Sequence, residues 1–146
     1  MENQTQNKPL LIIGSAKSGK TRLALNLMSA FKSPKMLSGR RTKDLRSPFF
    51  FSSLNESTDM VVIDDVRGDV ALNIFEDING QIKVEPQSKP SFCINPQVIV
   101  ICDSDYSDKS MLEAATYTRR YNVLDMDSVS DFDLCCNIVL NQIKTL

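Results

Sequence analysis

The sequence predicts an α/β protein: a parallel sheet flanked by helices, with a β-hairpin inserted before a late buried strand. Three observations predict it. The apolar run Leu10-Leu11-Ile12-Ile13 leads into a glycine-containing loop and then a helical pattern, the strand–loop–helix order of α/β proteins. Two more apolar, β-branched runs follow at Met60-Val61-Val62-Ile63 and Val98-Ile99-Val100-Ile101, separated by helical and hairpin patterning. The length of 146 residues with 42% hydrophobic content fits one domain, residues 1–146, able to bury a core.

Taken in order, the first strand is followed by a helix over residues 20–31, with Leu23, Leu27 and Phe31 on one face and Ala24 and Met28 beside it. Residues 33–51 read as basic and irregular, carrying Lys35, Arg40, Arg41, Lys43 and Arg46 against Asp44 alone. Such a run is a solvated loop or a phosphate contact. Phe49-Phe50-Phe51 reads as core, because it is contiguous and bounded by Pro48. The strand at 60–63 ends in Asp64-Asp65, and a helix is expected over 69–78, with Ala71, Ile74, Phe75 and Ile78 on one face. Asn79-Gly80 signals a turn into an alternating strand at 81–85, and Pro86 to Pro90 closes a hairpin back through 91–94. The strand at 97–102 reads as the most buried. A polar loop at 103–108, a short helix at 109–115 and a strand at 121–126 come next. Ser130 is the expected N-cap of a last helix, with Asp131 and Asp133 in its first turn and an apolar face of Leu134, Ile138 and Ile143.

Composition removes several function classes. A net charge of −1 gives no global basic field to draw in nucleic acid, although a basic channel inside an oligomer remains open. The chain has no histidine, which excludes Ser-His-Asp and Cys-His catalysis. Its four cysteines, Cys93, Cys102, Cys135 and Cys136, form no C-x-x-C pair, so a zinc site is not expected and Cys102, Cys135 and Cys136 read as buried thiols. The first eight residues are polar and lack a signal-peptide core, and no apolar stretch approaches a membrane span. The expected compartment is the cytoplasm.

The chemistry sits in the loop after the first strand. Gly14-Ser15-Ala16-Lys17-Ser18-Gly19-Lys20-Thr21 fits G-x-x-x-x-G-K-[ST], the Walker A phosphate-binding pattern. Glycines let such a backbone turn its N–H groups inward on anionic oxygens, and the following helix N-terminus adds a positive dipole end. Lys20 is the candidate for the β- and γ-phosphates of ATP, and Thr21 for Mg²⁺. Asp64-Asp65 at the end of a buried strand fits Walker B. Asp64 is the candidate to hold Mg²⁺, directly or through water, and Asp65 to orient or deprotonate the attacking water. Asp103, at the tip of the strand at 97–102, is expected beside the terminal phosphate. Arg119-Arg120 is either surface charge or an arginine finger offered to a neighbouring subunit.

The order of these residues resembles the superfamily 3 helicase ATPases, AAA+ relatives in the replication proteins of small DNA viruses and some mobile elements. The resemblance runs from about residue 8 to 127. It takes in the Walker A loop, Asp64-Asp65, the hairpin at 80–89, the stretch Lys89 to Asn95-Pro96, the strand ending in Asp103, and Arg119-Arg120. It implies a strand order, an ATP- and Mg²⁺-dependent motor, a homo-oligomeric ring, single-stranded DNA in a central channel and a replication partner protein. Lys83 and Lys89 are the hairpin residues it points to for DNA; otherwise they are solvated hairpin charges. Two departures stand out. Asp103 occupies the position of the family's sensor asparagine, where a carboxylate lacks the amide donor and adds negative charge. Only seven residues precede Lys8, too few for the family's helical oligomerisation segment, so the expectation is a fragment, a minimal homologue or a degenerate ATPase working with a partner. Two other readings stay open: a nucleotide-binding module without turnover, and a small-molecule kinase, which would need an arginine-rich lid that only Arg119-Arg120 can supply.

Overall fold

The structure, a computed structural model, describes residues 9–15, 17–41, 47, 49–66, 82–103 and 121–144. Within them lie seven strands and two α-helices: β1 (Leu10–Gly14), α1 (Lys20–Met28), β2 (Pro34–Ser38), β3 (Met60–Val66), β4 (Ile82–Val84), β5 (Phe92–Ile94), β6 (Gln97–Asp103), β7 (Asn122–Asp125) and α2 (Phe132–Lys144). Five strands form one parallel sheet in the order β2-β3-β6-β1-β7. The remaining pair, β4 and β5, makes the expected antiparallel hairpin, with Lys83 opposite Cys93. The helices expected over 69–78 and 109–115 lie outside the described residues.

Strand alternation divides the core into two layers. Leu10, Ile12, Met60, Val62, Ile99 and Ile101 face α1 and α2, meeting Leu23, Ala24 and Leu27 of α1 and Cys136 and Val139 of α2. Leu11, Ile13, Val61, Ile63, Val98 and Val100 face the other way, onto Leu54 and the hairpin residues Ile82, Val84 and Ile94. The two described helices therefore share one face of the sheet, and the hairpin packs on the opposite face.

Several expectations need correction. Residues 34–38 form β2 rather than irregular chain, because parallel pairing with β3 supplies hydrogen bonds that a segment opening on proline does not advertise. Helix α1 ends at Met28, and Ala30 and Phe31 close it with 3₁₀-type bonds to Leu27 and Met28. Phe50 and Phe51 pack edge to face against the hairpin-side core, but Phe49 is exposed. On α2 the first-turn acceptor is Asp131, not Ser130: its carboxylate accepts from the Leu134 N–H at 3.1 Å and its carbonyl from the Cys135 N–H at 3.0 Å. The helix also turns a different face inward, burying Cys136 and Val139 and leaving Leu134 55% and Ile138 50% exposed. Those two side chains line an apolar groove of about 880 Å³ between α2 and the edge strand β7, with Leu10, Tyr121 and Leu124. Cys102 and Cys136 are buried, Cys135 is half-buried and Cys93 is exposed. Burial pushes the Cys135 and Cys136 thiols up, away from reactivity.

Candidate functional site

Strands β1, β6 and β3 all end at the same edge of the sheet because they run parallel, and the candidate residues sit at or just past those ends. The loop between β1 and α1 turns through left-handed backbone three times, at Gly14 (φ 152°), Lys17 (φ 67°) and Gly19 (φ 98°). Glycine carries no penalty at two of the three. At Gly14 even the space is reserved, since an added Cβ would come within 2.6 Å of the Ser18 hydroxyl. Lys20, on the first turn of α1, folds back over this loop: its Nζ donates to the Gly14 carbonyl at 2.8 Å and the Ser15 carbonyl at 2.7 Å. The Ser18 hydroxyl is buried with no hydrogen-bond partner. A buried hydroxyl without a partner is a group with hydrogen-bonding capacity left over. Thr21 is exposed beside Lys20. Ala16 lies outside the described residues.

The acidic end of β3 is shaped by a bulge. Ile63 pairs with Val100 and Val66 with Cys102, so Asp64 and Asp65 together face Ile101 alone. Asp65 takes the extra turn in left-handed backbone (φ 64°), which aspartate tolerates better than most residues. Its carboxylate pairs with Arg40 Nε at 3.1 Å. Arg40 follows β2, where the Gly39 N–H donates to the Asp64 carbonyl at 2.6 Å and fixes the chain. Burial pushes the Asp64 carboxyl above the ordinary carboxylate range. A hydrogen bond from the Asp65 backbone opposes the rise, the Asp65 charge adds to it, and the Lys20 charge opposes it again. Lys20 and Asp64 thus feel one another electrostatically across the sheet edge. A hollow of about 330 Å³ opens beside the acids, lined by Met36, Leu37, Ser38, Arg40, Asp64 and Asp65.

Strand β6 lies between β1 and β3 and sets Asp103 in register with Gly14. The glycine loop and the acids are therefore two strand spacings apart, about 10 Å, enough for a phosphate group and a hydrated cation. Among the described residues no three Asp, Glu, Cys or His side chains gather into a metal cluster. Mg²⁺ at phosphate sites takes one or two protein ligands and completes its shell with phosphate and water, and Thr21 in the first turn of α1 and Asp64 near the end of β3 each carry an oxygen donor of the kind it takes. Lys83 is exposed on β4 and reaches Glu85 at 3.9 Å, and Lys89 is exposed in the hairpin turn. The hairpin carrying them packs on the sheet face opposite α1. Arg119 and Arg120, the candidate finger or lid, lie outside the described residues.

Two contacts were not foreseen. Arg40 stood in the basic run 33–51 without a partner assigned. Asp127 was not singled out at all, although it holds the glycine loop from 112 residues away: its carboxylate accepts from the Ser15 N–H at 3.0 and 3.2 Å and from the Ser15 hydroxyl at 2.7 Å. The one sequence signal was Asp125-Met126-Asp127, an Asx-turn pattern in which Asp125 accepts from the Asp127 N–H at 3.0 Å.

No family model and no curated protein matches this chain. Solved structures do match by shape. An apo structure of the NrS-1 C-terminal region (305–718) superposes with a TM-score of 0.52 at 13% identity, over 95% of this chain and 36% of that one. The A form apo structure of the same region gives 0.49, also at 13% identity and with the same coverage. The chain thus spans about a third of the length of these structures, and at such identity the likeness concerns the fold. Among the described residues no helix is long and apolar enough to cross a membrane.

Proposed function

We propose that this chain is a Mg²⁺-dependent ATP-binding and ATP-hydrolysing P-loop domain of the superfamily 3 helicase type. It works in the cytoplasm as a homo-oligomeric ring on single-stranded DNA beside a replication partner protein. The observation that carries the reading is the pairing of a glycine loop, closed over by Lys20, with a bulged strand end carrying Asp64 and Asp65 on the same sheet edge. In this reading the backbone donors of the loop and the Ser18 hydroxyl bind phosphate oxygens, and Lys20 leaves its two loop carbonyls for the β- and γ-phosphates. Thr21 and Asp64 would hold Mg²⁺, which would supply charge neutralisation on the phosphates. Asp65 positions water for in-line attack, and its contact with Arg40 Nε at 3.1 Å fixes the carboxylate in place. Asp103 ends β6 in register with Gly14, and Arg119 or Arg120 completes the site of a neighbouring subunit. Lys83 and Lys89 contact the DNA backbone from the hairpin.

One observation favours a second reading, nucleotide binding without turnover. Arg40 already engages the proposed water-positioning carboxylate, and an aspartate stands at the sensor position. Steady-state ATP hydrolysis with Mg²⁺, with and without single-stranded DNA, separates the two. The first reading expects turnover stimulated by DNA and reduced at least about 100-fold by Lys20→Ala. Tight ATP binding with no turnover in either condition selects the second.

A further inference from the structure

We infer that Asp127 is a positioning residue for the phosphate loop: it holds the loop entry open for ATP once Lys20 has turned to the phosphates. The inference rests on the nucleotide-binding reading above. The loop carries one strained position, the left-handed non-glycine Lys17, and so gains from outside support. Two charged side chains brace its entry. Lys20 takes the outward carbonyls of Gly14 and Ser15, and Asp127 takes the N–H and hydroxyl of Ser15. Only one of these braces survives ligand binding, since a P-loop lysine spends its donors on phosphate.

The segment bearing Asp127 is itself built to stay put. β7 pairs with β1 in parallel, with Asp125 opposite Ile13, so two further residues along each chain bring Asp127 beside Ser15. Asp125 accepts from the Asp127 N–H and from the Ser128 hydroxyl at 3.3 Å, which sets the 3₁₀ turn at Met126–Ser128. The same segment walls the loop by packing. A Cβ on Gly14 would lie 3.2 Å from Met126 Cβ, and one on Gly19 would lie 3.6 Å from the Phe132 ring. Arg22, on the helix that follows the loop, stacks its guanidinium 3.9 Å over that ring. The connection between β7 and α2 is thus a scaffold on which the loop rests, and Asp127 is its hydrogen-bonding contact with Ser15. Held this way, the loop presents its remaining donors without reorganising, which is where preorganisation raises affinity.

The test is calorimetric binding of Mg·ATP to the full chain, its Asp127→Ala, Asp127→Asn and Ser15→Ala variants, and Lys20→Ala. Asp127→Ala is expected to weaken binding about tenfold, the scale of one charge-assisted hydrogen bond. Asp127→Asn keeps an oxygen to accept from Ser15 and is expected within about threefold of the parent. Ser15→Ala, which removes the hydroxyl but not the N–H, is expected in between and serves if Asp127→Ala does not fold. Amide exchange at Ser15 without nucleotide is expected to speed up in Asp127→Ala alone of the two Asp127 variants. Parent-like or tighter binding by Asp127→Ala, with binding lost in Lys20→Ala, overturns the role of Asp127 and leaves the nucleotide site standing. Tighter binding would mean that the carboxylate competes with phosphate. Failure of the parent chain to bind Mg·ATP overturns the nucleotide reading itself, and this role with it.

Discussion

Asp64 is the residue at which fold and proposed chemistry pull in opposite directions. Burial disfavours its charged form, and the Asp65 carboxylate beside it adds to the cost. A carboxyl raised in the folded state means that the native protein binds its proton more tightly than the unfolded chain. The stabilisation is therefore full only at pH below the ordinary carboxylate value and is lost as pH rises through the raised value of the folded state. Asp64→Asn removes that titration. Its Tm is expected to match the parent near pH 4 and to exceed it at pH 7, with the gap widening as pH rises. Thermal melts across pH 4–8 check this, and a Tm difference that does not grow with pH would show that Asp64 is not held above its ordinary range. The same variant loses a metal ligand in the proposed site.

At the scale of elements, legibility followed the strength of the apolar pattern. β1, β3 and β6 are near-continuous apolar runs, and the structure places all three in the centre of the sheet, where both faces are covered. The edge strand β2 was illegible because its half-buried Pro-Lys-Met-Leu-Ser run becomes a strand only by pairing with β3. α2 keeps one of its three expected core residues: Ile143 packs against the core, but Leu134 and Ile138 are exposed, and cysteine behaves as a small hydrophobe, so Cys135 and Cys136 with Val139 and Leu140 form the rest of the buried stripe. The short β7 strand leaves nothing among the described residues to cover the outer half of the helix. The two helices therefore respond differently to truncation. Leu27→Ala in α1, which removes a fully buried side chain, is expected to cost about 2–5 kcal/mol in urea unfolding. Leu134→Ala in α2 is expected to stay within about 1 kcal/mol. Comparable losses at both sites would mean that the groove over Leu134 is filled in solution.

Over the whole molecule, the candidate site is a product of strand order more than of any one motif. The sequence displays the glycine loop and the acid pair as separate patterns some distance apart along the chain, and nothing in their spacing says that β6 comes between them. The inserted strand opens the gap of two strand spacings and sets Asp103 in register with Gly14. The contacts that tie the rim together were likewise hidden, since Arg40 to Asp65 and Ser15 to Asp127 join segments that meet only after the sheet has formed. A ligand spanning that gap links β1, α1, β6 and β3, so binding should report on the stability of the whole sheet and not of one loop. A ligand that binds the native state alone raises its stability by about 2.7 kcal/mol at 100 times its Kd. For a chain of this size that corresponds to a Tm rise of roughly 5–10 °C with saturating Mg·ATP. Lys20→Ala is expected to abolish the rise, and withholding Mg²⁺ to reduce it, if the proposed site is right and Thr21 and Asp64 would hold the cation against the phosphates. A Tm that ignores Mg·ATP would leave the sheet edge as a fold without the proposed ligand. A rise that survives Lys20→Ala would place the nucleotide somewhere other than the glycine loop.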